Sequence, residues 1–471
     1  MRFGRCTRVV EQAKTVFGSR ESVAKENSFK QRRAGTANWL PIGNNFSFLL
    51  LDTSPFPFLI RLFFLQSVKS TNEFSVDDSD DFISPGQFSD ELLSKAHKMR
   101  KSLDISENID SPFFVARFLR ANNGDEEKSR QRIRDFLTHR KVLGYDKASD
   151  LDIFTKVPIG KQCFERFRIS MLDYTTRSKD VHVFVQKMEG TDLKEIMKVM
   201  PASYVIHSYY MLQENFGRVV AATEKETGRP SSVVCILDLK GLNLSEFINP
   251  LSGPAQVARL VVKVWSDYFS ENLCKLLVVN SPGIISFMWT ITKHIMDAQT
   301  AEKLVFLGST EELKKYLEIK SIPMEYGGEW QDKSGFADTP GDCCRSPKSI
   351  EKSHYRSPEV VWTENHVSKV PSSQSFSLKS HQSVEVVRKA ASKGRLVWSF
   401  TVSGDVEFEV VKRASDQETH VWPMITLTSL KLPEFGAISV EGGGTEYVLR
   451  FTNPTSTWFP VKINLAADVF S

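Results

Sequence analysis

Residues able to do covalent chemistry are present but scattered. His182, His207 and His294 have no partner at metal or triad spacing. The six cysteines, Cys6, Cys163, Cys235, Cys274, Cys343 and Cys344, show no metal-type spacing and suit a reducing compartment rather than a zinc site or a disulfide framework. Asp238 and Lys240 fall at the carboxyl end of an apolar strand, where α/β folds bind ligands. No G-x-S-x-G, H-E-x-x-H, phosphate loop or phosphatase-type Cys/Arg loop accompanies them. Gly442, Gly443 and Gly444 lack a following lysine and read as a hairpin turn. A metal centre, a cofactor and an enzymatic activity are therefore not expected. What the sequence does offer is an oily surface. Residues 284–297 are apolar at 284, 288, 291 and 295 and again at 285, 289 and 296, a helical stripe wider than one packed face needs. Such a helix is buried on two sides or meets lipid on one. Met288 and Trp289 could equally be core residues of a large domain.

The elements that must position this helix read as follows. The chain has 471 residues and a net charge of +4, enough length for two or three domains and too little positive charge to suggest nucleic acid. Residues 1–40 are basic and acid-poor, like a mitochondrial presequence; residues 46–65 are apolar but interrupted by Asp52, Pro55, Pro57 and Arg61, which argues against a spanning helix. Residues 1–83 are expected to be a disordered extension. A helical lobe, 84–150, follows, with Ser89 or Asp90 and then Asp125 as helix starts and Gly144 as a stop. Strands near 181–185, 231–239, 275–279 and 304–307 alternate with helices near 201–227 and 253–269, which implies a parallel sheet over 151–330. Residues 331–375 are polar, without period, and read as a linker. From 376 to 471 short alternating strands separated by turns predict an antiparallel β-sandwich.

The strings Val-Ala-Arg-Phe-Leu-Arg-Ala at 115–121, Ile-Leu-Asp-Leu-Lys-Gly at 236–241, Asn-Ser-Pro at 280–282, Leu-Gly at 307–308 and Ile-Pro-Met-Glu-Tyr-Gly-Gly at 322–328 stand in the order and spacing of the CRAL-TRIO lipid-transfer family. The tail, with Trp-Ser-Phe at 398–400, resembles a GOLD (Golgi dynamics) domain. The resemblance implies an α/β CRAL-TRIO lipid-pocket domain with an N-terminal helical lobe, plus a C-terminal all-β GOLD sandwich. It also implies that Ile284, Ile285, Met288, Trp289, Thr292 and Ile295 belong to the lid or wall of the pocket. Positions matching phosphatidylinositol headgroup contacts are Glu271, Thr300 and Lys303; those matching phosphatidylcholine contacts are Asn243 and Ser245. A family arginine falls on Asn122, which removes one charge from the phosphoinositide set. Each residue also has an ordinary reading: Glu271 as a partner of Lys275, Thr300 as a cap for the residues after it, and Lys303 as a solvated lysine.

The resemblance thus implies a lipid-binding or transfer protein that holds one phospholipid or other hydrophobic ligand under a lid and exchanges it with membranes. The expected setting is cytoplasmic, with transient, peripheral membrane association. The other reading is a lipid-regulated adaptor in trafficking or signalling, the GOLD domain binding protein partners. An α/β hydrolase-like enzyme is a third, disfavoured by the missing nucleophile–base pair.

Overall fold

The computed structural model describes residues 82–471 except 157–160, 162–171, 173–175, 244–248, 250, 269–270, 284–302, 334–336, 339–341, 346–348, 415–416 and 457. All of these lie in one compact unit of the chain, residues 55–471.

The helical lobe comprises α1 (Asp90–Arg100), α2 (Phe114–Ala121), α3 (Glu126–Leu143) and α4 (Asp150–Thr155). Their ends are set locally. Ser89 Oγ accepts the Leu92 amide, and Asp125 Oδ1 accepts the Lys128 amide, so two orphan N–H groups at helix starts are satisfied. Asn123 and Gly124 take φ of 56° and 77° between α2 and α3, and Gly144 closes α3 at φ 76°.

The central sheet follows: β1 (Arg177–Ser178), β2 (Val181–Lys187), the short α5 (Leu193–Ile196), α6 (Ala202–Thr227), β3 (Ser232–Asp238), α7 (Gly253–Tyr268), β4 (Leu273–Val279) and β5 (Leu304–Phe306). The order is β1-β2-β3-β4-β5, parallel from β2 to β5, with β1 as an antiparallel edge. Every residue of β3 is buried. Val233, Cys235 and Leu237 join the apolar cluster on one face, and Val234 and Ile236 join the cluster on the other. A strand covered on both sides needs no polar alternation, which is why its sequence is almost continuously apolar.

The stretch 331–375 connects the sheet to the C-terminal strands, and it is more than a spacer. Its helix α8 (Val360–Glu364) buries Val361 and Trp362, and Cys343 and Cys344 are buried against the sheet. The eight strands beyond are β6 (Gln374–Leu378), β7 (Ser383–Ala390), β8 (Gly394–Val402), β9 (Val406–Ala414), β10 (Gln417–Leu427), β11 (Glu434–Val440), β12 (Thr445–Thr452) and β13 (Val461–Phe470). They form two antiparallel sheets, β10-β9-β12-β7 and β11-β8-β13-β6. That ordering is a jelly roll, two Greek keys wrapped into a sandwich. Trp398, Phe400, Phe408 and Phe451 fill it, with ring centroids 4.7–5.9 Å apart. Gly436 lets β11 lie on Trp398, since a Cβ there would sit 2.3 Å from the indole.

The sandwich and the α/β lobe share one core. Ile206, Tyr210, Leu260 and Val264 of α6 and α7 cluster with Trp398, Ile425 and Leu427. On the neighbouring seam Tyr204 meets Phe435, ring to ring at 5.8 Å, and Arg259 pairs with Asp405 at 2.6 Å. No helix among the described residues is long and apolar enough to cross a membrane.

Candidate functional site

Three of the sequence strings converge on one carboxylate. Asp238 Oδ1, at the end of β3, accepts the Lys240 amide and the Asn280 side-chain amide, each at 2.9 Å. Its Oδ2 accepts the Tyr326 hydroxyl at 2.8 Å. Asn280 holds a left-handed backbone, φ 51°, to reach it. Gly328 is demanded by packing, because a Cβ there would lie 1.9 Å from the Ile322 carbonyl oxygen. Burial pushes the Tyr326 hydroxyl far above its ordinary range, so it remains a donor. The cluster is a structural clasp at the carboxyl ends of β3 and β4. It presents no nucleophile.

Glu271 and Lys303 are at the other end of the strands. Both line a small cleft of about 20 Å³, together with Arg117, Arg120, Ser231, Ser232 and Cys274. Glu271 precedes β4 and Lys303 precedes β5, so two parallel neighbours deliver them to the same rim. The ion pair of Glu271 is with Arg120 of α2, Nε to Oε2 at 2.8 Å, both side chains largely buried. Arg120 in turn lies 4.1 Å from the centre of the Phe88 ring. Burial lowers the Arg120 guanidinium from its ordinary value, and Arg117 adds to that, while Glu271 offsets it. Burial raises the Cys274 thiol, with Lys303 among the charges pulling it back. The rim is thus a packed set of two arginines, one lysine and one carboxylate.

Glu271 also faces a second cavity, of about 40 Å³, lined by Asn122, Arg132, Gln213 and Asn272 among others. Asn122, where the family arginine would stand, caps α2 through Nδ2 to the Phe118 carbonyl at 2.8 Å. Its Oδ1 and both amide atoms of Gln213 are buried without a hydrogen-bond partner among the described residues. These polar atoms border a space large enough for water. Sequence reasoning quoted Arg117 and Arg120 within the 115–121 string but gave them no place at the rim, and it missed Gln213, whose only signal was its polarity inside apolar helical text.

The remaining positions fall differently. Asn243 is exposed just past β3, near the carboxyl ends, about 20 Å from the Glu271 rim by the length of a seven-residue strand. Among the described residues, Asn243 is therefore not brought together with Glu271 and Lys303. Ser245, Thr300, Ile284, Ile285, Met288, Trp289, Thr292 and Ile295 lie outside the described residues. His182 hydrogen-bonds Thr223 at 2.7 Å in the core, and burial lowers its imidazole to about 4. His207 is buried against Trp422 and lowered by burial to about 3. Both are neutral packing groups.

Comparisons with known proteins bear on the α/β lobe as a whole. Residues 183–328 match the model of the CRAL/TRIO domain. A CRAL-TRIO domain-containing protein of Caenorhabditis elegans is 23% identical over 371 residues, which is 78% of this chain and 91% of that one. The SEC14 cytosolic factor of Eremothecium gossypii is 24% identical over 253 residues, 52% of this chain and 79% of its own. A CRAL-TRIO domain-containing protein of Saccharomyces cerevisiae is 27% identical over 252 residues, 51% of this chain and 76% of its own. The chain carries a CRAL-TRIO domain and is homologous to SEC14-like proteins.

Proposed function

We propose that this protein binds one phospholipid or other hydrophobic ligand and exchanges it with membranes, without catalysing a reaction. The observation that carries the reading is the CRAL/TRIO match over 183–328, joined by Glu271 and Lys303 opening on the same cleft. A lysine ammonium is suited to a lipid phosphate, and a carboxylate to inositol hydroxyls. Burying the acyl chains in a pocket returns about what the bilayer gave, at about 0.8 kcal/mol per methylene. Net exchange is near neutral, and the barrier to opening is what the protein controls. The segment 284–297 supplies the oily cover in this reading.

The test uses the full chain with donor vesicles carrying labelled phosphatidylinositol, phosphatidylcholine, sterol or tocopherol, and mass spectrometry of lipid that co-purifies. Accelerated transfer of one class, with that class bound at one per chain, supports the reading. No acceleration and no bound lipid would sink it.

A second reading treats the C-terminal sandwich as a GOLD-type module for protein partners at Golgi or signalling membranes. It is favoured by the shared core, through which Tyr204 of the lipid-binding lobe touches Phe435 of the sandwich. Removing the sandwich would expose that core, so point substitutions on its outer strands are the sounder probe. Unchanged transfer with lost membrane targeting favours this second reading.

A further inference from the structure

Among the described residues, the sandwich keeps its large aromatic residues at least partly covered, with two exceptions. Trp458 is 95% exposed and Phe459 83% exposed, side by side in the turn 453–460 between β12 and β13. The turn is anchored firmly at its root. Asn453 is fully buried; its Oδ1 accepts the Thr455 amide and hydroxyl, and its Nδ2 donates to the Leu378 carbonyl. The adjoining turn 379–382 is tied to it by His381 N to Asn453 O at 3.0 Å, Asn453 N to Gln382 O at 2.9 Å, and His381 Nε2 to Ser456 Oγ at 2.9 Å. A third turn, 403–405, is joined through Ser403 and Lys462, which exchange bonds of 2.9 Å. These three turns therefore sit together at one end of the sandwich, beside the 428–433 connection whose Ser429 Oγ accepts the Val402 amide at 3.0 Å, and the aromatic pair lies between Pro454 and Pro460.

The charge at this end is one-sided. Lys379 and Lys462 are exposed. Asp405 is the one acidic residue of the three turns, and Arg259 of α7 neutralises it at 2.6 Å. A convex aromatic tip among lysines matches the interface of an anionic bilayer, where indole rings settle at headgroup depth and lysines meet lipid phosphates. A protein hot spot is different: its aromatic anchor sits within a collar of neighbouring residues that excludes water. Trp458, at 95% exposure, has no such collar among the described residues.

We propose that Trp458 and Phe459 form a membrane-inserting tip that docks the protein on bilayers containing anionic phospholipid. The Arg259–Asp405 pair links this end to α7, so docking also turns that side of the lipid-binding lobe toward the same membrane. The inference rests on the carrier reading for its purpose, but its measurement is separate, since it concerns attachment and not transfer.

The experiment is co-sedimentation of the full chain with phosphatidylcholine vesicles, with and without phosphatidylserine, read beside transfer by the same samples. The Trp458→Ser/Phe459→Ser variant is expected to lose about tenfold or more in vesicle affinity while keeping its melting temperature and any lipid it co-purifies. Lys379→Glu/Lys462→Glu is expected to remove the dependence on phosphatidylserine. Brominated phosphatidylcholine should quench part of the indole emission of the wild type, and that part should fall in Trp458→Phe. Unchanged affinity in the serine variant, or quenching that Trp458→Phe does not reduce at all, overturns the tip, since Trp289 of the 284–297 segment can account only for what remains. Wild type that binds vesicles through the tip yet transfers nothing overturns the carrier reading and leaves the tip standing.

Discussion

Glu434, the first residue of β11, caps a helix in the other lobe: both its carboxylate oxygens accept the Ser203 amide at 3.3 Å at the start of α6. Pro201 occupies the N-cap and has no side-chain oxygen to offer, so the sandwich supplies the missing acceptor. Glu434 is fully buried, and burial raises its carboxyl to about 7 although the Ser203 and Ala202 amides pull the other way. The sign follows from linkage. A carboxyl whose folded value lies above the ordinary 4.5 binds its proton more tightly in the fold. Its contribution is fully present below about pH 4.5 and is lost as pH rises through about 7. The seam should therefore weaken between pH 5 and 8, by about 2–3 kcal/mol in all. The buried His182 and His207 act in the opposite direction below about pH 6.5 but are common to both chains, so the check is the difference: the stability of wild type relative to Glu434→Gln, read from melting curves, should fall as pH rises over that range. A difference that does not change with pH would show that Glu434 does not titrate in the seam.

A second buried carboxylate works in the opposite direction. Glu214 of α6 is held between Arg140 of α3 and Arg218 one turn on, with contacts of 2.7 Å on each side. Burial alone would raise its carboxyl, but the two guanidinium groups bring it below its ordinary value. This stabilisation is present above about pH 4.5 and is lost as pH falls below that. Arg140 and Arg218 are 1% and 4% exposed, so removing the charge between them strands both. Glu214→Gln is expected to cost about 3–5 kcal/mol in denaturant unfolding. A loss under about 1 kcal/mol would mean that Asp146 and Asp150, the arginines' other partners, suffice.

These two residues also mark what was legible in the sequence. Helix ends at Ser89, Asp125, Gly144 and Gly228 were readable because caps are decided within four residues of chain. The buried strands were readable because burial on both faces leaves an unbroken apolar run, as in β3. β6 and β10 escaped notice. β6 is a five-residue edge, largely exposed; β10 opens with Gln417, Glu418 and Thr419, carries Pro423 and breaks register between Trp422 and Ile425. Within a sheet proline is confined to edge strands, strand starts and bulges, and β10 is an edge with a bulge, so the local text argued against a strand that the sandwich nonetheless holds. The burial of Trp362 was hidden for a related reason, since one apolar turn in a polar run has no period to detect. Glu271 and Lys303 were found by family likeness. Their neighbour Arg120 stood in the first of the family strings, but its pairing with Glu271 was not legible, because the two lie 151 residues apart in the chain.

That neighbour gives the next test. In the carrier reading Lys303 meets a lipid phosphate, whereas Arg120 holds Glu271 in place at 2.8 Å. Lys303→Ala should lower uptake of phosphatidylinositol by about tenfold, the worth of one charge-assisted contact, and leave sterol or tocopherol uptake unchanged. Arg120→Ala should lower both, with a fall in melting temperature, because it leaves Glu271 largely buried without its partner. Equal loss of every ligand in Lys303→Ala would assign that lysine to stability alone.

The Asp238 clasp makes the last prediction. Its Oδ2 accepts Tyr326 and its Oδ1 serves the Lys240 amide and Asn280, so one side chain ties the ends of β3 and β4 to the segment that follows β5. Asp238 is only 5% exposed, which leaves little water to replace a lost donor. Tyr326→Phe keeps the ring in its apolar cluster with Leu317 and Ile322 and removes only the hydroxyl. The cost should be about 1.5–3 kcal/mol, the range for a hydrogen bond to a charged group. Asp238→Ala in the Tyr326→Phe background should then add less than it does alone, since the two share one contact. Additive losses across that cycle would show that Tyr326 acts through packing and that the clasp depends on Asn280 and the backbone instead.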